Sequence, residues 1–401
     1  MNKKNYSGYK SYQYLEPGKD YKQFKLAKQI NRVKPYKIDL STAEEDRVKE
    51  IFENEVVISV HEHPRRLPED ISELTEMNSL GREFTGYEGL SVSGMDAVFD
   101  NFLDGSCIIT SKNGWKWNDI IYNLGMKYCD IAHQDMYVRA ENIDDIIAAK
   151  KNGKVALVPS LESSTMIENE LDRIDILYGY GVRCMGIVYS ESNSLGSGLK
   201  EDRDGGLTKF GHRAVERMNK LGMAIDVSHA SDQTCLDVIE ASNVPIFINH
   251  AGARSLWNIK RLKPDNVIKA CAEKGGIIGV EAAPHTTITE NHPYHNLESF
   301  MEHFDYIVDM VGIDHVAFGP DTNFGDHVAL HKEFRKFLSI DEANKKGSPE
   351  HKEVEYVAGL DNPSETFPNI VKWLVKHGYS NDEISKVVGK NVIRVLKEIW
   401  I

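Results

Sequence analysis

Val56-Val57-Ile58-Ser59-Val60 running straight into His61-Glu62-His63 is the stretch from which the fold can be read. It is a short, β-branched run without polar alternation, the pattern of a strand buried on both faces of a parallel sheet, and it ends on imidazoles. Seven further runs behave alike: Met95–Phe99, Lys154–Ser160, Val182–Val188, Met223–Ser228, Pro245–Asn249, Gly276–Val280 and His315–Gly319. Helical patterns separate them, at Ile143–Lys151, Ile167–Tyr180, Phe210–Leu221, Asp232–Ala241, Asp265–Lys274 and Glu298–Val311. Strands alternating with helices in this number predict an α/β fold of the (β/α)8 TIM type. A doubly wound open sheet is the competitor that periodicity alone does not exclude, but no GxGxxG follows the first run, which counts against its dinucleotide-binding version.

Residues 1–50 read as a polar N-terminal extension and 51–401 as a single barrel domain. Asp326–Leu360, with Lys345, Lys346, Gly347 and Pro349, reads as a long excursion after the last strand. The helix pair Glu365–His377 and Asp382–Ile399 closes the chain. A net charge of −13 argues against nucleic acid or an anionic membrane as partner, because both need concentrated Lys and Arg. Met1–Tyr21 has no apolar core of the kind that secretory signals carry, and no stretch approaches the roughly 18 apolar residues of a membrane span. Five cysteines (Cys107, Cys129, Cys184, Cys235 and Cys271) without a CxxC pair suit free buried thiols in a reducing compartment, so the expected location is cytoplasmic.

The chemistry gathers where the runs end. His61 and His63 follow the first, Glu162 the third, His229 the fifth, His250 the sixth and Asp321 the eighth. In a barrel the carboxyl ends of the strands converge on one mouth, where active sites lie. Imidazole and carboxylate donors suit Zn²⁺, Mn²⁺, Fe²⁺ or Co²⁺. His61 and His63, two apart on an extended segment, point the same way and can grip one ion. A carboxylate such as Glu162 can bridge two ions about 3.5–4 Å apart, which lowers the pKa of a shared water so that hydroxide exists at neutral pH. Asp321 is then the base that handles its proton. Taken singly, a histidine at a strand end is more often a hydrogen-bonded loop residue and an acid there a helix cap; five strand ends together point to a metal site. Nine further histidines, His133, His285, His292, His295, His303, His327, His331, His351 and His377, read as surface residues.

Gly205-Gly206-Leu207-Thr208, Phe210-Gly211, Met218-Asn219 and Leu221-Gly222-Met223 lead into Asp226-Val227-Ser228-His229. Asn249-His250-Ala251-Gly252-Ala253-Arg254, Gly275-Gly276-Ile277-Ile278-Gly279-Val280, Val311-Gly312-Ile313-Asp314-His315-Val316 and Gly319-Pro320-Asp321 follow, and Gly378-Tyr379-Ser380 and Gly389-Lys390-Asn391 lie near the end. Together these segments resemble the membrane (renal) dipeptidase family of zinc peptidases, a branch of the amidohydrolase superfamily, over roughly residues 55–400. The resemblance implies two zinc ions in a (β/α)8 barrel, Glu162 bridging them, His229 and His250 on the second, Asp321 as proton carrier and Arg261 on the substrate carboxylate. A homodimer is implied on the same ground. Apart from the resemblance, Arg261 beside Lys260 reads as a solvated residue.

Two positions depart from the family pattern. Its His-x-Asp is here His61-Glu62-His63, which keeps a ligand but removes a negative charge. Where it has a carbonyl-polarising histidine this chain has Tyr189, whose phenol can donate to an oxyanion with different reach. The expected activity is metal-dependent hydrolysis of an amide bond in a small carboxylate-bearing substrate, foremost a dipeptide, by a hydroxide between two metal ions. The departures leave open a non-peptide or cyclic amide as substrate, and a barrel that only binds a small ligand is the remaining rival.

Overall fold

The structure, a computed structural model, describes residues 4–102, 116–334 and 350–400. Eight parallel strands form the expected barrel: β1 (Ile58–Glu62), β2 (Ala97–Phe102), β4 (Val155–Leu161), β5 (Cys184–Gly186), β6 (Ala224–Asp226), β7 (Phe247–Ala251), β8 (Ile277–Val280) and β9 (Val316–Phe318), neighbours in that order. Between β9 and β1 the ring is sewn up just past the strand ends. Asp321 donates its backbone N–H to the His61 carbonyl and His63 donates its own to the Thr322 carbonyl, each at 3.1 Å. The backbone N–H and hydroxyl of Thr322 reach the Glu62 carboxylate, at 2.7 and 2.8 Å.

The extra strand β3 (Tyr137–Arg139) pairs with the first half of β4. At three residues, leaving the core at Val138 and Arg139, it has no continuous apolar run to announce it. The helical segments lie where the periodicity puts them, with two local breaks. Ile167–Tyr180 divides into a 3-10 turn (Thr165–Ile167) and a helix (Arg173–Gly179), because Glu168 takes a positive φ of 54° between them. Asp382–Ile399 becomes a helix (Asn381–Ser385), a π turn (Lys386–Lys390) and a helix (Asn391–Ile399). Four helices that the sequence reading passed over, Thr42–Asn54, Leu74–Ser79, Tyr87–Val92 and Trp117–Ile131, belong to the amino-terminal third.

Alternate strand residues fill the interior. Ile58, Val60, Phe99, Val158, Phe247 and Ala317 share one buried cluster with Val395 and Leu396 of the last helix, so that helix plugs the amino end of the barrel. Trp400 stacks on Phe99 with ring centroids 6.5 Å apart. Val57, Val98, Leu157, Ile248 and Phe318 pack outward against the helices. Residues 4–54 lie against the barrel and do not hang free. Tyr12 is fully buried with Phe24, Leu67, Met77 and Phe84. The Asp130 carboxylate accepts hydrogen bonds from the Tyr9, Ser11 and Tyr87 hydroxyls and the Tyr12 N–H. The helix Thr42–Asn54, opened by a capping box at Ser41, runs across residue 50 into the barrel. Cys107 and residues 335–349 of the excursion lie outside the described residues. Among the described cysteines Cys184, Cys235 and Cys271 are buried free thiols as expected, while Cys129 is exposed.

Candidate metal centre

Two irregularities in the sheet aim the histidines inward. In β1, Ser59 pairs with Val98 but Glu62 with Asp100, three residues against two. In β7, Ile248 pairs with Ile278 but Ala251 with Val280, again three against two. A bulge of this kind shifts the side-chain alternation by one. Without it Ile58 and Val60 would be followed inside by Glu62. With it His61 and His63 face the interior and Glu62 turns out to Thr322. In β7 the same shift brings His250 in behind Asn249. The displaced Asn249 carbonyl occupies the space that a Cβ on Gly279 or on Gly319 would need, so glycine at both positions leaves room for the bulge.

The five strand ends thus meet. His61 Nε2 lies 3.2 Å from Glu162 Oε1, 3.4 Å from Asp321 Oδ1 and 3.3 Å from His63 Nε2. His63 Nε2 is 3.2 Å from Asp321 Oδ1. On the other side of Glu162, the Nε2 atoms of His229 and His250 stand 3.7 and 3.6 Å from Oε1 and 3.1 Å from each other. Two donor groups therefore share one carboxylate: His61, His63, Glu162 and Asp321, and Glu162, His229 and His250. All are buried except Asp321, whose side chain keeps 14% of its surface open to the mouth.

The rings are held from behind. His63 donates its Nδ1 proton to the Asn101 carbonyl at 3.1 Å, which leaves the Nε2 lone pair toward the cluster. The Asn101 side-chain amide sits 3.0 Å from His61 Nδ1, and the Ser190 hydroxyl 3.1 Å from His229 Nδ1. Burial opposes charge on both carboxylates. The imidazoles around them outweigh it and hold Glu162 and Asp321 well below the usual carboxylate range. Burial likewise opposes a proton on His61, but Asp321 and Glu162 raise its pKa to about 9. Burial, seconded by the Arg261 charge, lowers His229 to about 4, and His250 falls in the same direction. The cluster is a set of ionised oxygens that calls for positive charge, met in the metal-free protein by a proton on His61, while His229 and His250 are neutral.

The structure puts two further expected residues beside this cluster. The Tyr189 ring stacks on His229, centroids 4.2 Å apart. Arg261 is buried, not solvated: its Nη2 lies 2.5 Å from Glu281 Oε2 and its Nη1 donates to the Ser228 carbonyl at 3.4 Å. Glu281 went unnoticed in the sequence although it follows β8 as the other site acids follow their strands. It falls with His250 and Asp321 into a third possible donor group. Burial pushes its carboxyl up to about 7, against the pull of Arg261. The surface reading of the other histidines also needs correction, since His285, His295, His303 and His327 are buried in loops and helices around the mouth, which strand ends alone do not reveal.

The sequence pattern described as "Membrane dipeptidase (Peptidase family M19)" matches residues 122–335 and 352–400. The chain is 26% identical over 269 residues to the dipeptidase tcpJ of Claviceps purpurea, and 24% identical over 269 residues to Dipeptidase 3 of Rattus norvegicus. These alignments cover 67% and 66% of this chain but 56% and 49% of the relatives' own lengths. Among solved structures, an amidohydrolase from Pseudomonas aeruginosa superposes with a TM-score of 0.71 at 22% identity, over 88% of this chain and 99% of that one. A metallopeptidase from Rhodobacter sphaeroides, liganded with a phosphinate mimic of the dipeptide L-Ala-D-Ala, gives 0.65 at 18% identity, over 86% and 100%. At such identities the structures bear on the fold, and the sequence match on the lineage. The chain belongs to the membrane dipeptidase family, Peptidase family M19.

Proposed function

We propose that this chain hydrolyses the amide bond of small dipeptides with two divalent ions, zinc by preference, held at the barrel mouth. The observation that carries the reading is the pair of donor groups sharing Glu162. Its residues fit such ions: imidazole and carboxylate are zinc donors, and the buried Glu162 Oε2 has no hydrogen-bond partner. His61, His63 and Glu162 would hold one ion, with Asp321 at its edge, and Glu162, His229 and His250 the other. When bound, the ions supply Lewis acidity and lower the pKa of water toward neutrality. The name of the dipeptidase relatives and the dipeptide mimic in the Rhodobacter enzyme support the choice of substrate.

The chain's own groups then divide the work. Asp321, kept ionised and open to the mouth, takes the proton of the attacking water on its carboxylate and delivers it to the leaving nitrogen. Tyr189, fixed by its stack on His229, offers its hydroxyl to the oxyanion. Arg261 would orient a substrate carboxylate, which must displace Glu281 from the guanidinium or meet Glu281 protonated. The free thiols of Cys184, Cys235 and Cys271 support a reducing compartment as the setting.

The test couples elemental analysis of the purified protein to a panel of L,L- and L,D-dipeptides, their C-terminal amides and cyclic imides. At least two zinc equivalents with dipeptide turnover is the expected result. A metal-free protein active on none of them overturns the hydrolase, and turnover confined to neutral amides or imides overturns the dipeptidase.

A further inference from the structure

A second group of donors lies at the barrel mouth, apart from the central cluster. His285 is in the loop after β8, and His351 and Glu353 are on the segment that returns after β9. His285 Nε2 lies 3.6 Å from Glu353 Oε2, and His351 Nε2 lies 3.4 Å from Glu353 Oε1. The two rings stand 4.5 Å apart at a 34° tilt. Donor atoms bound to one zinc at about 2.0–2.2 Å are themselves separated by about 3.3–3.5 Å in tetrahedral geometry, so these three side chains already stand near ligand spacing.

The way they are held points to placement by more than chance packing. His285 is a buried non-glycine residue at φ +66°, in the left-handed region that β-carbon sterics disfavour. Its N–H is fixed by a 3.0 Å bond to His295 Nδ1, whose Nε2 in turn meets the Thr287 hydroxyl at 2.8 Å. The Val354 N–H points to the lone pair of His285 Nε2 at 3.4 Å, a long contact that a cation on that atom would displace. This segment is already aligned with the loop after β8 by bridges at Tyr294–Lys352 and Asn296–Ala358. Lys332 Nζ lies 3.8 Å from Glu353 Oε2, and its side chain is exposed.

We propose that His285, His351 and Glu353 form an additional site for a divalent transition cation such as zinc, which clips the segment after β9 to the loop after β8 across the mouth. Two imidazoles and one carboxylate complete a zinc-type donor set and leave the remaining coordination positions to solvent. The cation joins two loops distant in sequence, so it closes a chain loop in the folded state and raises stability by RT ln(1 + L/Kd), where L is the free cation concentration.

The experiment uses the full chain, stripped by chelator and dialysed against buffered micromolar zinc, with bound zinc counted and the thermal midpoint followed as zinc is raised. The partly exposed positions supply variants that do not threaten folding, Glu353→Gln and His351→Asn, with Glu162→Gln as the control that empties the central cluster. The wild type is expected to hold one zinc equivalent more than either mouth variant and to show a larger zinc-dependent rise in midpoint than either. Glu162→Gln should keep the part of the rise that the mouth variants lose. Equal zinc counts and superimposable midpoint curves for wild type and mouth variants overturn the proposal, whatever the fate of the central site.

Discussion

Asp321 combines two roles that a substitution can separate. Its φ of +58° is left-handed, a conformation that Asp and Asn tolerate better than most residues, and its N–H helps to close the ring of strands. Asp321→Asn should therefore keep the backbone and lose the proton carrier. We expect kcat to fall by about 10²–10⁴-fold with the circular dichroism spectrum unchanged, steady-state kinetics being the measurement. Full activity in that variant would remove the assigned role. Glu281 acts through charge balance. Glu281→Gln leaves the buried Arg261 without its ion-pair partner, and denaturant unfolding should show a loss of about 3 kcal/mol. His61, His63, Glu162, His229, His250 and Asp321 were legible in the sequence because each follows an apolar run, and a barrel gathers such positions. Glu281 and Asn101 obey the same rule and were passed over, one after β8 and one at the end of β2. The burial of Arg261 was not legible, because it depends on Glu281 waiting across the mouth.

At the level of elements, the eight strands could be read from apolar runs, but the direction in which their last side chains face could not. Strict alternation from Ile58 puts Glu62, not His61, inside. The bulges in β1 and β7 reverse that, and a bulge is a property of pairing that a single strand does not display. The neighbours of the β7 bulge carry its requirement: Gly279 and Gly319 stand where the Asn249 carbonyl protrudes. Gly319→Ala should force that carbonyl back and rotate His250 away from Glu162. The expected cost is about 1–3 kcal/mol in unfolding, together with faster loss of metal on dialysis than from wild type. A variant that retains both wild-type stability and wild-type metal retention would show that the bulge tolerates the methyl group. The short β3 and the amino-terminal helices escaped the sequence reading for the opposite reason, since they lack the continuous apolar run by which buried strands were recognised.

Across the whole molecule, the metal-free protein holds a proton where it would hold an ion. His61 has its pKa raised to about 9, above the ordinary imidazole value of 6.5, so below about pH 9 metal must displace that proton. The sign follows directly: proton binding to the stripped cluster weakens as pH rises, so apparent zinc affinity should climb between about pH 6.5 and 9. Zinc titrations against a competing chelator at several pH values measure it, and an affinity that is flat over that range would contradict the charge assigned to His61. The same groups form the join between the first and last strands, where His61, His63, Asp321 and Thr322 exchange backbone hydrogen bonds. The join of the cylinder and the seat of its cargo are thus one structure, and filling the seat rivets the cylinder shut. The amide hydrogens of His63 and Asp321 should accordingly serve as a built-in gauge, exchanging slowly with solvent deuterium in the loaded protein and faster in the stripped one, while those in the middle of β2 and β4 change least.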